Sequence, residues 1–251
     1  MTDRAGSWFE DWFDADYLQV FGPYVDGDRA RTEAADLLAL LGLPDGSTVL
    51  DLACGQGRHA APLRRAGLRM VGLDLSEVML RAAHGRDAAL PLVRADMRAL
   101  PLRSAGVDGV VSLFNAFGYF DSDEQDQRVL AEVARVLRPG GTFVQEVHHR
   151  DALVVGWEPR TTHPRYEDGL VVTEERAWDP VRGRHRVTYL LTTPDGEVRR
   201  RDHELRVYTL TELVAMHRAA GLDVRAVHGD LRGAAPTPNT PLCAIVSTRP
   251  V

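Results

Sequence analysis

One stretch, TVLDLACGQGRHAAPLRRAGLRMVGLD at residues 48–74, constrains this chain more than any other. It opens with a short apolar, strand-like run ending near Asp51, followed by Gly55 and Gly57, a helical pattern over 57–66, and a second apolar run over 69–73 that ends at Asp74. Two strands joined through a helix pair in parallel, because a parallel neighbour requires a crossover of this length. Glycines in the first turn let the backbone take positive φ and let a ligand approach the N-terminus of the following helix. Asp74, about 20 residues beyond Gly55, stands at a strand end where a carboxylate accepts both hydroxyls of a ribose.

The alternation continues beyond this unit. The pattern predicts a helix over 76–84, strands over 91–95 and 107–114, a helix over 122–137 and a strand over 142–147, with Pro139-Gly140-Gly141 stopping the last helix. Strands alternating with helices imply a parallel sheet covered on both faces. After residue 150 the period changes to two: 170–178, 184–193 and 197–208 read as strands joined by hairpin turns at Asp179-Pro180 and Pro194-Asp195-Gly196. A helix over 209–220 and strands over 222–229 and 242–248 complete the pattern. Before the first strand, Trp8, Phe9, Trp12, Phe13, Tyr17, Phe21 and Tyr24 recur at near-helical spacing, and 29–42 reads as an amphipathic helix.

The 251 residues carry a formal charge of −6, with 44% hydrophobic and 26% charged residues, an ordinary globular composition with no general attraction to nucleic acid. The Arg199-Arg200-Arg201 run is balanced by neighbouring acids. The acidic, aromatic start does not read as a secretory leader, no apolar run is long enough to cross a bilayer, and Cys54 and Cys243 lack paired spacing, so a cytoplasmic protein is expected.

Residues 55–60, Gly-Gln-Gly-Arg-His-Ala, also satisfy the dinucleotide fingerprint, so the loop alone leaves an NAD(P)-dependent oxidoreductase open, as well as a cofactor-binding protein without catalysis. With no Lys in the chain, a Tyr-x-x-x-Lys hydride-transfer pair cannot exist. Asp51 at the lip of the loop would repel a pyrophosphate but can hold the cationic amine of S-adenosylmethionine. Read together with Ala95-Asp96-Met97-Arg98, Asp108-Gly109-Val110-Val111 and Leu137-Arg138-Pro139-Gly140-Gly141, the loop resembles that of the class I S-adenosylmethionine-dependent methyltransferases. Within that class, Phe114-Asn115-Ala116-Phe117-Gly118-Tyr119-Phe120 and Leu205-Arg206-Val207-Tyr208-Thr209 are similar to a bacterial small-molecule subgroup that includes sugar-amine N-methyltransferases. Ala53 stands where a glycine is common in the loop, which is tolerable if its backbone is extended.

The resemblance implies a Rossmann-like α/β fold with a seven-stranded, mostly parallel sheet in the order 3-2-1-4-5-7-6. It divides the chain into an N-terminal helical lid (1–47), a core (48–150 and 209–251) and an antiparallel β insertion (151–208) that binds substrate or forms a dimer. It implies S-adenosyl-L-methionine as cofactor, S-adenosyl-L-homocysteine as product, and in-line transfer of a methyl group to an O or N atom of a small molecule by a monomer or homodimer, with no nucleic acid, membrane or metal. Asp51, Ala53, Gly55, Gly57, Asp74, Leu75, Met79, Asp96, Met97, Leu113, Phe114 and Asn115 are then the cofactor-binding candidates, with Tyr17 and Arg31 added for the methionine carboxylate. Glu146, His148 and His149, just past the fifth strand, are the candidate bases. Tyr119, Trp157 and Tyr208 are the acceptor candidates. His163, His185, His203, His217 and His228 show no metal-ligand spacing.

Overall fold

The computed structural model describes residues 8–21, 28–164 and 169–251; Tyr24 lies outside the described residues. The aromatic start forms two short helices, α1 (Trp8–Trp12) and α2 (Ala15–Phe21), followed by α3 (Asp28–Leu41). The core then runs β1 (Thr48–Leu52), α4 (Ala60–Arg65), β2 (Arg69–Asp74), α5 (Glu77–Arg86), β3 (Leu92–Arg94), β4 (Val107–Ser112), α6 (Asp123–Val136) and β5 (Leu137–His148). Next come α7 (Arg150–Val155) and the strands β6 (Arg160–Pro164), β7 (Val171–Asp179), β8 (Arg184–Thr192) and β9 (Val198–Arg206); α8 (Leu210–Ala219), β10 (Asp223–His228) and β11 (Leu242–Thr248) close the chain.

The seven core strands lie in the order β3-β2-β1-β4-β5-β11-β10, and only the pairings made by β11 are antiparallel. In core-strand numbering this is the expected 3-2-1-4-5-7-6. Successive residues of each central strand serve opposite faces. Leu50, Val110, Phe143 and Ile245 pack with Val129, Leu130 and Val133 of α6 and Leu213 of α8, whereas Val49, Val111, Val144 and Ala244 pack with Leu37 of α3 and Leu63 of α4. Caps mark two helix starts: the Ser76 hydroxyl oxygen accepts the Met79 N–H ahead of α5, and Thr209 and Glu212 form a reciprocal capping box on α8.

Three local expectations change. Pro139-Gly140-Gly141 is a bulge inside β5 rather than a turn before it: Val107 faces Leu137 and Gly109 faces Thr142, while Gly140 and Gly141 pair with Arg249 through the backbone. The N-terminal aromatic helix is broken after Trp12. Ala53 is left-handed, with φ of 57°, not extended, because the chain must turn from β1 into the glycine loop within one residue.

The inserted strands form a separate antiparallel sheet, β6-β7-β8-β9. Trp12 and Val20 of the N-terminal helices are buried against Val172, Val187, Tyr189 and Leu191 of that sheet, while Phe9 joins the core beside Phe120. The N-terminal segment therefore bridges core and insertion. Gly118 closes the other junction: its carbonyl accepts the Arg206 N–H at 2.7 Å, and a Cβ there would lie 2.1 Å from the Arg206 carbonyl oxygen, so only glycine fits.

Candidate active site

The carboxyl ends of β1, β2 and β4 open into a narrow cavity of about 120 Å³. Asp51, Ala53, Gly55, Asp74, Leu75, Met79, Asp96, Met97, Leu113, Phe114, Tyr17 and Tyr119 all line it. Sequence reasoning missed Phe9 and Phe13 of the N-terminal segment, Phe120, and, with most consequence, Arg58.

At one end of this cavity two opposite charges stand buried and incompletely paired. Asp51 is 3% exposed, and its Oδ2 has no hydrogen-bond partner among the described residues. Burial pushes its carboxyl up to about 7; the Arg58 guanidinium opposes this and the nearby Asp74 adds to it. Arg58 donates Nη1–H to Glu33 Oε2, lies 5.0 Å over the Phe114 ring, and leaves Nη2 without a partner among the described residues. Glu33 in turn meets His59 Nε2 at 2.8 Å and Arg29 Nε at 2.8 Å. Burial works against the Glu33 charge, but these bonds and the Arg58 cation prevail and bring its carboxyl down to about 2. Burial also lowers His59 to about 4, so its ring is neutral and donates to Glu33. Arg31 is exposed on α3 and does not line the cavity; the cation there is Arg58, whose place in the Gly-Gln-Gly-Arg run is its only sequence signal.

Further along, Asp74 Oδ2 accepts the Gly55 N–H at 2.8 Å and Oδ1 accepts the Ser76 N–H at 2.9 Å, which fixes the carboxylate in the cavity wall. Burial nonetheless raises its pKa. Gly55 has φ of 53°, with open space where a Cβ would stand. Gly57 does not line the cavity: a Cβ there would meet that of Ala83 at 3.2 Å, so this glycine serves the approach of α5. Asp96 faces the cavity while accepting from the Arg98 backbone and guanidinium, and Phe9, Met97 and Phe120 supply apolar wall beside it. Burial pushes the Tyr17 hydroxyl up to about 12, keeping it a neutral donor.

A second cavity, of about 610 Å³, lies between the core and the insertion and shares Phe13, Tyr17, Phe114 and Tyr119 with the first. Asn115, His148 and Trp157 line it. Burial lowers the His148 pKa, and the adjacent Pro241 backbone opposes that shift. Phe114 and Asn115 both take positive φ, 57° and 60°, at the boundary between the cavities. Glu146 holds this turn: its Oε2 accepts the Phe114 N–H at 2.9 Å and its carbonyl the Asn115 N–H at 3.1 Å, while Asn115 Oδ1 accepts the His148 N–H at 2.9 Å.

Glu146 therefore stands behind the cavities, 7% exposed and engaged with backbone, rather than in them as a base. His149 is likewise turned away, its Nδ1 3.1 Å from the Thr240 carbonyl oxygen. Tyr208 does not line the larger cavity; its hydroxyl donates to Asp126 Oδ2 at 2.8 Å and lies 3.0 Å from Asp123 Oδ1, with Arg206 stacked 4.2 Å over its ring.

A methyltransferase domain model matches residues 49–141. The chain is 30% identical to a dTDP-3-amino-3,4,6-trideoxy-α-D-glucopyranose N,N-dimethyltransferase of Streptomyces venezuelae over 88% of this chain and 96% of that one. It is 30% identical to a cypemycin N-terminal methyltransferase of a Streptomyces species, over 75% and 78%. Among solved structures, the CcbJ methyltransferase of Streptomyces caelestis superposes with a TM-score of 0.83 at 23% identity, covering 96% of this chain and 99% of that one. Streptomyces venezuelae DesVI superposes at 0.71 with 28% identity, covering 94% and 98%. The unpaired Asp51 Oδ2 and Arg58 Nη2 fit the ammonium and carboxylate of a methionine moiety, and with this the chain belongs to the class I S-adenosylmethionine-dependent methyltransferases.

Proposed function

We propose that this enzyme methylates the amino group of a sugar-like small molecule, with the donor in the narrow cavity and the acceptor in the larger one. The observation that carries this reading is the shared wall of Phe13, Tyr17, Phe114 and Tyr119, across which the two cavities meet. A volume of about 610 Å³ suits a small-molecule acceptor. The relatives whose names specify amino sugars support the choice of nitrogen. The buried, unpaired Cys54 and Cys243 support a cytoplasmic enzyme.

When bound, S-adenosylmethionine supplies an activated sulfonium methyl, released by in-line displacement. In this reading Asp51 and Arg58 hold the methionine end, Asp74 accepts from the ribose, and Asp96 with Leu75 and Met97 takes the adenine. The turn held by Glu146 aims Phe114 and Asn115 at the transfer point. The acceptor nitrogen would arrive with its lone pair free to take that methyl and would then shed a proton. His148, in the wall of the larger cavity and held neutral by burial, would accept that proton. The N-terminal helices exclude water from both cavities.

The test is radiolabelled methyl transfer to dTDP-3-amino-3,4,6-trideoxy-α-D-glucopyranose and to free 3-amino sugars, with binding of S-adenosylhomocysteine measured in parallel. Transfer to an amino sugar is expected, and His148→Ala should lower kcat about 100-fold or more, the scale of one proton-transfer group. A protein that binds S-adenosylhomocysteine yet methylates no amino sugar refutes the acceptor assignment.

A further inference from the structure

The larger cavity gathers three imidazoles that are scattered in the sequence: His148 from the end of β5, His185 from β8 and His203 from β9. In the antiparallel register His185 lies opposite Leu205 and His203 opposite Val187, so both histidines stand on one face of the insertion sheet, the face turned to the core. Aromatic rings frame them. Trp157 meets His185 edge-on at 5.7 Å, and Trp12 meets His203 edge-on at 4.9 Å.

His185 is 7% exposed, and among the described residues neither of its ring nitrogens has a partner; Nδ1 of His203 has none either. Buried polar atoms without partners are costly, and at a cavity wall a ligand can fill them. Burial, reinforced by His148 and Arg176, lowers His185 to about 4; burial, reinforced by His185 and His148, lowers His203 to about 3. Both rings are therefore uncharged at neutral pH. A neutral imidazole offers one N–H and one lone pair on separate nitrogens, so the substituents that satisfy His185 must between them accept and donate. A hydroxyl or an uncharged amine does so. A carboxylate only accepts, and an ammonium only donates.

We infer that His185 and His203 determine acceptor specificity, selecting a ring compound that presents an uncharged hydroxyl or amine to the insertion sheet. This rests on the reading above that the larger cavity receives the acceptor. The aromatic walls complement it, since they stack on the apolar faces of a ring while the imidazoles read its polar substituents.

The experiment compares the wild-type enzyme with His185→Phe, His203→Phe and His185→Asn. The probes are dTDP-3-amino-3,4,6-trideoxy-α-D-glucopyranose, free 3-amino-3-deoxyglucose and, as an acceptor bearing only carboxylates, trans-aconitate. The expected result is turnover of an amino sugar but not of trans-aconitate. Each Phe variant should raise KM for that acceptor about 10-fold, as loss of one buried polar contact would, with kcat changed less. His185→Asn should recover part of the loss, and S-adenosylhomocysteine affinity should stay unchanged throughout, which reports an intact fold and donor site. If the wild type methylates an amino sugar but both Phe variants keep its KM, the inference fails while the proposed function stands. If the wild type methylates only trans-aconitate, or no acceptor at all while binding S-adenosylhomocysteine, both fail.

Discussion

At the scale of single residues, the narrow cavity at the ends of β1, β2 and β4 is built on charges kept short of partners. Asp51 is an acid whose folded-state pKa lies near 7, because water is excluded and Arg58 only partly offsets that burial. A ligand ammonium placed against Oδ2 favours the ionised form, so below about pH 7 binding must be coupled to loss of one proton. Affinity for S-adenosylhomocysteine is expected to be flat above pH 7 and to weaken by up to about tenfold per unit below it. Asp51→Asn should bind more weakly and lose this dependence. Calorimetric titrations from pH 5.5 to 8 decide it, and a wild-type affinity that does not change with pH would sink the assignment. Ala53, Phe114 and Asn115 show a related feature, left-handed backbone at non-glycine residues beside the cavities. Each such residue costs on the order of 1–2 kcal/mol, offset at Phe114 and Asn115 by the bonds that Glu146 makes across the β4 and β5 ends.

At the scale of elements, α1 and α2 are held by contacts of two kinds. The apolar kind is the burial of Phe9 in the core and Trp12 against the insertion sheet. The ionic kind joins the bend between the helices to the edge strand β9: Asp14 takes Arg201 at 2.6 Å, and Asp16 takes both Arg201, at 2.8 Å, and Arg199. The Arg199-Arg200-Arg201 run is thus partly a latch for the N-terminal segment, not merely a solvated face. Half-exposed pairs contribute about 0.2–1 kcal/mol each and are weakened by salt. If α1 and α2 gate the donor cavity, Asp14→Asn with Asp16→Asn should speed S-adenosylhomocysteine release several-fold and raise amide exchange in 8–21, with little change in melting temperature. Unchanged release and exchange would mean that these helices are fixed walls.

At the scale of the whole molecule, acid stability depends on buried imidazoles. His217 is fully buried, with Nδ1 3.0 Å from Ser247 Oγ and Nε2 2.8 Å from Gln145 Oε1, and burial lowers it to about 4. A depressed histidine pKa stabilises the fold above the unfolded value of about 6.5, and that stability is lost as pH falls towards 4. His59, His185 and His203 act in the same direction, while Asp51 and Asp126, raised by burial to about 7, oppose them because their folded forms take up protons first. Stability should therefore decline between pH 6.5 and 4. His217→Gln, though less stable at pH 7, should decline by about 1.4 kcal/mol less per unit in that window, one proton fewer. Parallel slopes in urea titrations would contradict this. The same contrast of local and distant contacts explains what could be read in advance. The strand–glycine loop–helix unit with Asp51 and Asp74 and the alternation of strands and helices were legible in the amino-acid sequence, because each depends on residues close along the chain or on the period of one element; the strand order followed only from the family resemblance. Arg58 in place of Arg31, Glu146 as a brace instead of a base, and Tyr208 tied to Asp126 were decided only by tertiary structure. So was the meeting of His148, His185 and His203. Burial and partnership at these positions come from elements far apart in the chain, and it is burial and partnership that set the charge and the role of a side chain.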